Sequence, residues 1–287
     1  MTTLYAGLAI GSVYALIALT LNIPLTQAGI FNLAQGAFIA LGLFIAFSGQ
    51  VTRELPIPLI ILGAAALCAV LAFAEDLVAI RPLGEDPHHN SLVTTVGFFT
   101  VVEGAIFLLW GSTPKSLPFF GGEQAFTLAG GRLVPGDVAI VAAAVLLALA
   151  LHLVSTRTLW GLRGRATTED PDAAKIRGIN VVWIRVSALG LAAALGGALG
   201  VLIAPQTGVS NEITLRLVTY GFAALMIGGA GSYAGSLVGG LGVGVIEAMS
   251  GRYLGTEWAA LMIFVLLMTI LVVRPRGLLG PQQAREI

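Results

Sequence analysis

The chain has 287 residues, of which 57% are hydrophobic and only 10% are charged. Because soluble domains carry about 25% charged residues, this composition excludes an ordinary soluble protein and predicts an α-helical membrane protein with several spans. Basic and acidic residues balance at 15 each, so the net charge gives no indication of a nucleic-acid partner, and none is expected.

The first apolar span is predicted at 4–21, and we interpret it as a retained helix because no basic segment precedes it. Residues 22–36 follow without a charge, but Pro24 and Gly29 interrupt the helical pattern. Broken backbone at membrane depth needs protein or water to satisfy its N–H and C=O groups. The segment therefore indicates either a translocation pathway, which we favour, or amides that only hold helices together. Its polar residues are Asn22, Thr26, Gln27, Asn32 and Gln35.

The rest of the chain continues this alternation of apolar spans and short connections. Residues 111–136 and 205–217 are predicted as loops, and the glycine-rich stretch 218–249 as two short helices hinged near Gly231 and Ser232. The predicted fold class is an all-α polytopic membrane protein with about eight transmembrane helices and two discontinuous or re-entrant segments, forming a single domain over 1–287. The further spans are expected at 35–49, 58–75, 91–110, 137–155, 184–204 and 257–273.

Glycines four residues apart permit helices to pack closely in a membrane. We favour packing within one subunit over packing between subunits for each pair. The pairs are Gly7 with Gly11, Gly196 with Gly200, Gly235 with Gly239, and Gly240 with Gly244.

Glu103 lies well within the span 91–110, where an ionisable group is costly unless it is paired or hydrated. It indicates either a contact in a translocation pathway or an interhelical hydrogen bond. Glu75 and Asp76 lie near the end of a span and are expected to be solvated. The histidines and acids lack the spacing of a metal site, and a glycine-rich phosphate loop is missing, so we expect this chain to bind no metal or cofactor.

The longest polar stretch is the polar connection, residues 156–185. Asp170 is a helix N-cap residue type, Pro171 suits the first helical position and Gly178 suits the residue that ends a helix. The polar connection therefore predicts a short helix over 171–177 outside the membrane. A capped helix there favours docking of a partner over a merely solvated loop.

Basic residues are concentrated in loops 76–90 and 156–185 and at the C-terminus. Since cytoplasmic loops carry an excess of Lys and Arg, these segments are predicted to face the cytoplasm. The N-terminus is then expected on the opposite side of the membrane.

Six segments, in this order and spacing, are similar to those of one known family. They are Gly7–Leu19; Gly29-Ile-Phe-Asn-Leu-Ala-Gln-Gly36; Arg81-Pro-Leu83; Gly164-Arg-Ala166 with Glu169-Asp170 and Gly178-Ile-Asn180; Gly228-Gly-Ala-Gly-Ser232 with Gly235, Gly239-Gly240 and Glu247-Ala248; and Arg274-Pro-Arg-Gly-Leu-Leu-Gly280. Over its whole length the chain resembles the branched-chain amino-acid ABC transporter permeases of the LivH type.

The resemblance implies one membrane subunit of a bacterial importer in the inner membrane, with a cytoplasmic C-terminus and no ATPase site of its own. It implies as partners a second permease (the same chain or a relative), two cytoplasmic ATPase subunits that use ATP and Mg, and an extracytoplasmic solute-binding protein. By the same resemblance the polar connection docks on an ATPase subunit. The residues implied in this coupling are Arg165, Glu169, Asp170, Ala173, Ala174 and Gly178.

This chain departs from the family pattern at three places within the membrane. Gln35 and Ala37 replace a histidine and an acid, Tyr220-Gly221-Phe222 replaces Lys-Ala-Phe, and Glu103 stands near a common glutamine. All three places can line the pathway, so they bear on the solute, which is expected to be small and polar or amphipathic, with branched-chain amino acids favoured. They leave the expected architecture and coupling unchanged.

A stand-alone secondary transporter or channel for a small solute is the alternative from another class. It predicts ion-coupling acids deep in several spans, whereas the sequence places only Glu103 there. A membrane enzyme is a weaker alternative, because it needs clustered histidines or acids at the membrane interface. Co-purification with an ATPase subunit separates the importer from both.

Overall fold

The computed structural model of the protein describes residues 1–83, 87–117, 126–128 and 131–280, with side chains described in these ranges except at 87–90, 126–128 and 131–133. In this part of the chain the helices are α1 Thr2–Ala28, α2 Gln35–Phe47, α3 Ile57–Glu75, α4 Pro87–Trp110, α5 Pro135–Arg157, α6 Leu159–Glu169, α7 Pro171–Ile176, α8 Val181–Thr207, α9 Asn211–Gly228, α10 Tyr233–Tyr253 and α11 Ala259–Val273.

Short irregular elements complete the described architecture. A π-helical turn over Ser48–Thr52 extends α2, and another over Asp76–Ile80 extends α3. Two 3₁₀ turns cover Arg81–Leu83 and Thr256–Trp258. Strands β1 Phe126–Leu128 and β2 Gly131–Leu133 pair antiparallel, with Phe126 opposite Leu133.

Eight helical segments in the described ranges are long and apolar enough to cross a membrane. This confirms the predicted all-α polytopic fold class and the predicted number of spans. The segments are Thr2–Ala28, Gln35–Thr52, Ile57–Leu83, Ser91–Trp110, Pro135–Arg157, Val181–Thr207, Tyr233–Tyr253 and Thr256–Val273.

The chain folds into two compact units, and neither is continuous in sequence. Unit 1 comprises Met1–Asn22, Glu123–His152 and Thr219–Ile287, and unit 2 comprises Ile23–Gly122 and Leu153–Val218. In unit 2, α8 packs along both α2 and α3. In unit 1, α10 packs along α11 and the first part of α1.

Glycine pairs allow the close helix packing that the sequence predicts. In unit 1 a Cβ placed on Gly11 would lie 2.9 Å from the carbonyl oxygen of Gly240, so α1 and α10 nearly touch there. In unit 2 a Cβ on Gly200 of α8 would lie 2.8 Å from the Cα of Gly42 in α2. Real Cβ atoms essentially never come that close to backbone, so these glycines pack within the subunit.

The predicted interruption at Pro24 is wrong, because α1 continues through it to Ala28. Membrane helices tolerate proline, since the ring removes one backbone hydrogen bond near the end of an otherwise intact helix. Gly29 ends the helix with a positive φ of 67°, a conformation that glycine adopts without strain. The non-helical part is therefore only residues 29–34, called here the break segment.

The predicted loop 205–217 is also wrong. Helix α8 passes through Pro205 to Thr207, and the hydroxyl of Ser210 caps α9 by accepting from the N–H of Ile213 at 3.2 Å. The predicted hinge near Gly231 and Ser232 is confirmed between α9 and α10, but α9 begins earlier than expected. The sequence analysis did not predict α6, which fills much of the polar connection.

Candidate functional site

The predicted short helix in the polar connection is α7, and it is capped at both ends. The Oδ1 atom of Asp170 accepts from the backbone N–H of Asp172 at 3.0 Å and of Ala173 at 2.9 Å. At the other end Gly178, with φ 81°, donates from its N–H to the carbonyl of Lys175 at 2.9 Å. Local hydrogen bonds therefore hold this one-and-a-half-turn helix, although so short a helix is unstable alone.

The outward surface of α7 differs from the one that the sequence predicts. Ala174 is only 2% exposed and packs inward, whereas Ile176 is 88% exposed. Residues two positions apart in a helix lie roughly 200° apart around its axis, so Ala174 and Ile176 lie on opposite faces. An exposed isoleucine with Asp172 and Lys175 beside it is thus the most prominent feature of the surface. The sequence analysis missed Ile176. Its position two residues after Ala174 would have indicated that the two side chains lie on opposite faces of the helix.

Helix α6 fastens the polar connection to other parts of unit 2. Arg165 donates to the backbone carbonyl of Ser155 at 2.5 Å, and Thr168 donates to the carbonyl of Thr26 at 3.3 Å. A Cβ on Gly164 would overlap the side chain of Gln27, so α6 lies directly against the end of α1. Glu169 is exposed at the end of α6.

The polar residues that the sequence singles out between 26 and 35 make separate contacts within unit 2. Gln27 donates to the hydroxyl of Ser155 at 3.5 Å, and Gln35 donates to the carbonyl of Ala192 in α8 at 2.8 Å. Both glutamines are fully buried, and in the described part of the chain their Oε1 atoms have no hydrogen-bond partner. The structure therefore does not gather these side chains around one cavity.

Asn22 belongs to unit 1, where it holds the turn between α9 and α10. Its Oδ1 accepts from the N–H of Gly231 at 2.9 Å, and its Nδ2 donates to the hydroxyl of Ser236 at 3.0 Å. Asn22 is fully buried, so these bonds replace water at an irregular turn. This geometry favours the second interpretation given in the sequence analysis, in which Asn22 only holds helices together.

Glu75 and Asp76 were expected to be solvated, and that expectation is wrong. Both are 0% exposed. Asp76 lies 2.7 Å from Nε of Arg185 and 3.2 Å from Nη2 of Arg81, and Glu75 accepts from Asn32 Nδ2 at 3.1 Å. The buried Asp76 charge persists because two arginines pair with it, and both Arg185 and Asn32 lie far from the acids in sequence. This buried cluster is the clearest polar site that the sequence analysis missed.

Tyr220 takes part in a second polar cluster, inside unit 1. Its ring packs edge-on against Tyr14, with ring centres 5.4 Å apart. The Tyr14 hydroxyl donates to Oε2 of Glu247 at 2.5 Å. Glu247 lies within the span of α10, so the argument that identified Glu103 from the sequence could also have identified Glu247.

Glu103 lies on α4 and is only partly buried. In the ranges that the structure describes, it makes neither a recorded hydrogen bond nor an ion pair. On the same helix, Gly97 and Gly104 have open space where a Cβ would be. Within the described part of unit 2, no hydrogen bond joins Glu103 to Thr26, Gln27, Asn32 or Gln35.

Comparison with known proteins gives matches over almost the whole chain. The family model described as "Branched-chain amino acid transport system / permease component" matches residues 3–272. The chain belongs to this family. It is therefore a permease component of a transport system, and the family resemblance drawn from the sequence motifs is confirmed.

Individual relatives agree with the family assignment. The chain is 28% identical to the high-affinity branched-chain amino acid transport system permease protein LivH of Salmonella typhimurium, over 99% of this chain and 96% of the relative. It is 29% identical to the corresponding protein BraD of Pseudomonas aeruginosa, over 98% and 96%. It is 30% identical to the fructose import permease protein FrcC of Rhizobium meliloti, over 92% and 73%.

A solved structure supports the fold alone. A chain of PsaBC from Streptococcus pneumoniae in complex with Fab matches with a TM-score of 0.51 and 12% identity, over 96% of this chain and 93% of that chain. At this identity the likeness extends to the path of the helices and not to the solute.

Proposed function

We propose that the chain is the membrane-spanning permease subunit of an ATP-driven ABC importer. The family match over residues 3–272 carries this proposal. The subunit works beside a second permease, either another copy or a relative, with two ATPase subunits and an extracytoplasmic solute-binding protein. It lies in the inner membrane of a bacterial cell, with its C-terminus in the cytoplasm.

The proposed solutes are branched-chain amino acids. The LivH and BraD relatives match over 96% of their own lengths, whereas the fructose permease matches over 73%. We assign the pathway contacts of the solute to polar side chains that include Glu103 of α4 and Tyr220 of α9. The buried amides serve mainly to hold neighbouring segments together: Asn22 bonds to the turn between α9 and α10, Gln27 to Ser155 and Gln35 to the backbone of α8.

ATP hydrolysis belongs to the partner subunits, which bind ATP and Mg. In this proposal the permease chain binds no cofactor and catalyses no reaction. Its contribution is mechanical, since closure of the ATPase subunits moves the polar connection and switches access from one side of the membrane to the other.

We assign the docking surface to the exposed face of α7. Ile176 provides an apolar contact, and Asp172 and Lys175 flank it as an exposed ion pair at 3.0 Å. A centrally placed apolar side chain with charged neighbours is a common composition for a protein interface. Ala174 supports this surface from below, and Asp170 and Gly178 fix the shape of the helix.

The test is to replace Ile176 by aspartate and purify the complex with its ATPase subunits. We expect Ile176→Asp to lower ATPase co-purification at least about tenfold, because truncation of a central interface contact costs more than about 1.4 kcal/mol. Ile176→Leu keeps the apolar contact and should retain the complex. The readout is the ratio of ATPase to permease after size-exclusion chromatography.

The matched control is Leu254→Asp, which changes an exposed leucine after α10 that is 54% exposed. We expect it to leave ATPase co-purification unchanged. Equal recovery of ATPase with Ile176→Asp and with the wild type would exclude this surface. Leucine transport by the purified wild-type chain without any ATPase subunit would instead favour the secondary transporter or channel.

A further inference from the structure

Two adjacent acids at the end of α3 are completely buried. Glu75 and Asp76, called here the acid pair, are both 0% exposed, and a π-helical turn begins at Asp76. π-Helical turns occur frequently at functional sites. The charge of buried Asp76 is compensated by Arg185 and Arg81, whereas Glu75 accepts a hydrogen bond from the neutral amide of Asn32 in another element. The acid pair therefore connects the end of α3 to two other elements of unit 2.

Asp76 joins the end of α3 to the start of α8. Its Oδ1 lies 2.7 Å from Nε of Arg185, whose side chain is only 12% exposed. Arg185 lies in the second turn of α8, shortly after α7. Nearby, Trp160 of α6 donates to Ser187 of α8 at 2.9 Å, so the same part of α8 also holds the polar connection. Separating a buried ion pair leaves an uncompensated charge, which is unfavourable. We therefore expect the end of α3 to move together with the start of α8.

Glu75 joins the end of α3 to the break segment. Asn32 donates from Nδ2 to Glu75 at 3.1 Å, while its Oδ1 accepts from the N–H of Ala34 at 2.8 Å. The bond from Ala34 fixes the orientation of the amide, so that its NH₂ group faces Glu75. A displacement of Glu75 is therefore passed to the residues directly before α2.

The polar connection also contacts the other side of the break segment. Thr168 donates to the carbonyl of Thr26 at 3.3 Å, and Gly164 packs against Gln27 at the end of α1. The break segment thus lies between two contacts that both lead to the polar connection. It has no helical structure of its own to resist a relative shift of these contacts.

We propose that the acid pair transmits movement of the polar connection to the break segment during transport. Asp76 and Arg185 are then positioning residues, because they act through the backbone that they hold and not on the solute. Movement of the polar connection then reaches the break segment from two sides, through the contact of α6 with α1 and through the acid pair. This inference rests on the proposed function, in which the ATPase subunits move α7.

The experiment compares variants of the complete transporter in proteoliposomes supplied with the binding protein, ATP and radiolabelled leucine. We expect Arg185→Gln and Asp76→Asn to keep ATPase co-purification and basal ATP hydrolysis. Both should lower leucine uptake per ATP hydrolysed at least about fivefold, the lower range of typical coupling between sites. The double variant should lose no more than either single variant, because both act through one contact.

Two arginines on the same carboxylate provide an internal comparison. Arg81 also binds Asp76, but its side chain is 46% exposed and it is only five residues further along the same segment. Arg81→Gln should therefore lower uptake per ATP less than Arg185→Gln does. Arg252→Gln, which removes an exposed arginine bonded to Thr3 in unit 1, should leave this ratio unchanged.

Leucine uptake per ATP hydrolysed distinguishes a variant that fails to transmit movement from a variant that fails to fold. If Arg185→Gln fails to reach the membrane, Arg185→Lys keeps the charge, and a reduced ratio with intact assembly supports the proposal. A ratio equal to that of Arg252→Gln overturns the proposal, and so does loss of ATPase co-purification in both Arg185 variants. A wild-type chain that recovers no ATPase overturns the proposed function itself, which is a distinct result.

Discussion

At the scale of single residues, burial decides which of two similar side chains can meet a partner. Ala174 and Ile176 are two positions apart on α7, yet only Ile176 faces outward. Glu75 and Asp76 lie at the predicted end of a span, where acids are often hydrated, yet both are enclosed by α3, α8 and the break segment. The chemistry of each residue type is general, but its role follows from the neighbours that tertiary packing provides.

Replacing two glycines of α8 by alanine should change the stability of the protein in opposite directions. A Cβ on Gly200 would lie 2.8 Å from the Cα of Gly42, whereas a Cβ on Gly190 meets nothing within 4 Å. We expect Gly200→Ala to destabilise the protein by about 1–3 kcal/mol through overpacking. Gly190→Ala should be neutral or stabilise it by up to about 1 kcal/mol, since alanine favours helix.

The measurement is the thermal unfolding midpoint of each variant in the same detergent. The free energy of unfolding follows from these curves only if unfolding is reversible, but the order of the midpoints is sufficient. Equal midpoints for the two variants would contradict the close approach of α2 and α8.

At the scale of elements, the ends of helices in this protein are satisfied by residues from distant parts of the chain. Asn22 binds the turn between α9 and α10. The tail after α11 binds the end of α9, since the N–H groups of Leu278 and Leu279 donate to the carbonyls of Ile227 and Gly228 at 2.9 and 2.8 Å. The last carbonyls of a helix have no partner within it, so this tail serves as a cap. The motif Arg274-Pro-Arg-Gly-Leu-Leu-Gly280 thereby acquires a structural explanation.

The cap predicts the effect of removing one backbone donor. Leu278→Pro deletes the N–H that bonds to Ile227, which leaves a carbonyl unpaired at a cost of about 1–3 kcal/mol. We expect a lower thermal midpoint and faster proteolysis at the turn between α9 and α10.

Leu278→Ala is the matched control, because it shortens the side chain and keeps the N–H. Its midpoint should stay close to that of the wild type. A midpoint for Leu278→Ala as low as that for Leu278→Pro would assign the effect to the side chain and not to the cap.

At the scale of the whole molecule, the contacts within unit 2 group the connections between spans into two sets. Arg81 and Arg185 meet at Asp76, so residues 81–83 and the polar connection lie at one end of the unit. The connections after α2, α4 and α8 lie together elsewhere, because Trp110 donates to Ser48 and the backbone of Lys115 pairs with Val209. The excess of basic residues predicts that the first set faces the cytoplasm.

This topology predicts opposite labelling of two introduced cysteines. Cys68 is the only cysteine and is fully buried, so the native protein should react little with an impermeant maleimide. In intact cells or right-side-out vesicles we expect labelling of Arg53→Cys and not of Arg177→Cys.

Inside-out vesicles should give the reverse pattern. The unsubstituted chain measures the background from Cys68. Labelling of both positions from the same side would contradict the predicted topology, and a reversed pattern would place the polar connection outside the cytoplasm.

The amino-acid sequence by itself determines the helical membrane class, the approximate spans, the capped helix α7 and the family. These features depend on local composition and on residues close in sequence: long apolar runs exclude water, and a cap bonds to N–H groups two or three residues away. For the same reason the hinge between α9 and α10 was predictable, because closely spaced glycines mark it.

The tertiary structure alone decided the passage of α1 through Pro24 and of α8 through Pro205, the burial of the acid pair and the outward position of Ile176. A charge near the end of a span is compatible with either water or a buried partner, and local sequence cannot distinguish them. Arg185 is 109 residues from Asp76. Only the fold brings two such groups within 2.7 Å, because the free energy of pairing them depends on the buried surroundings that both enter.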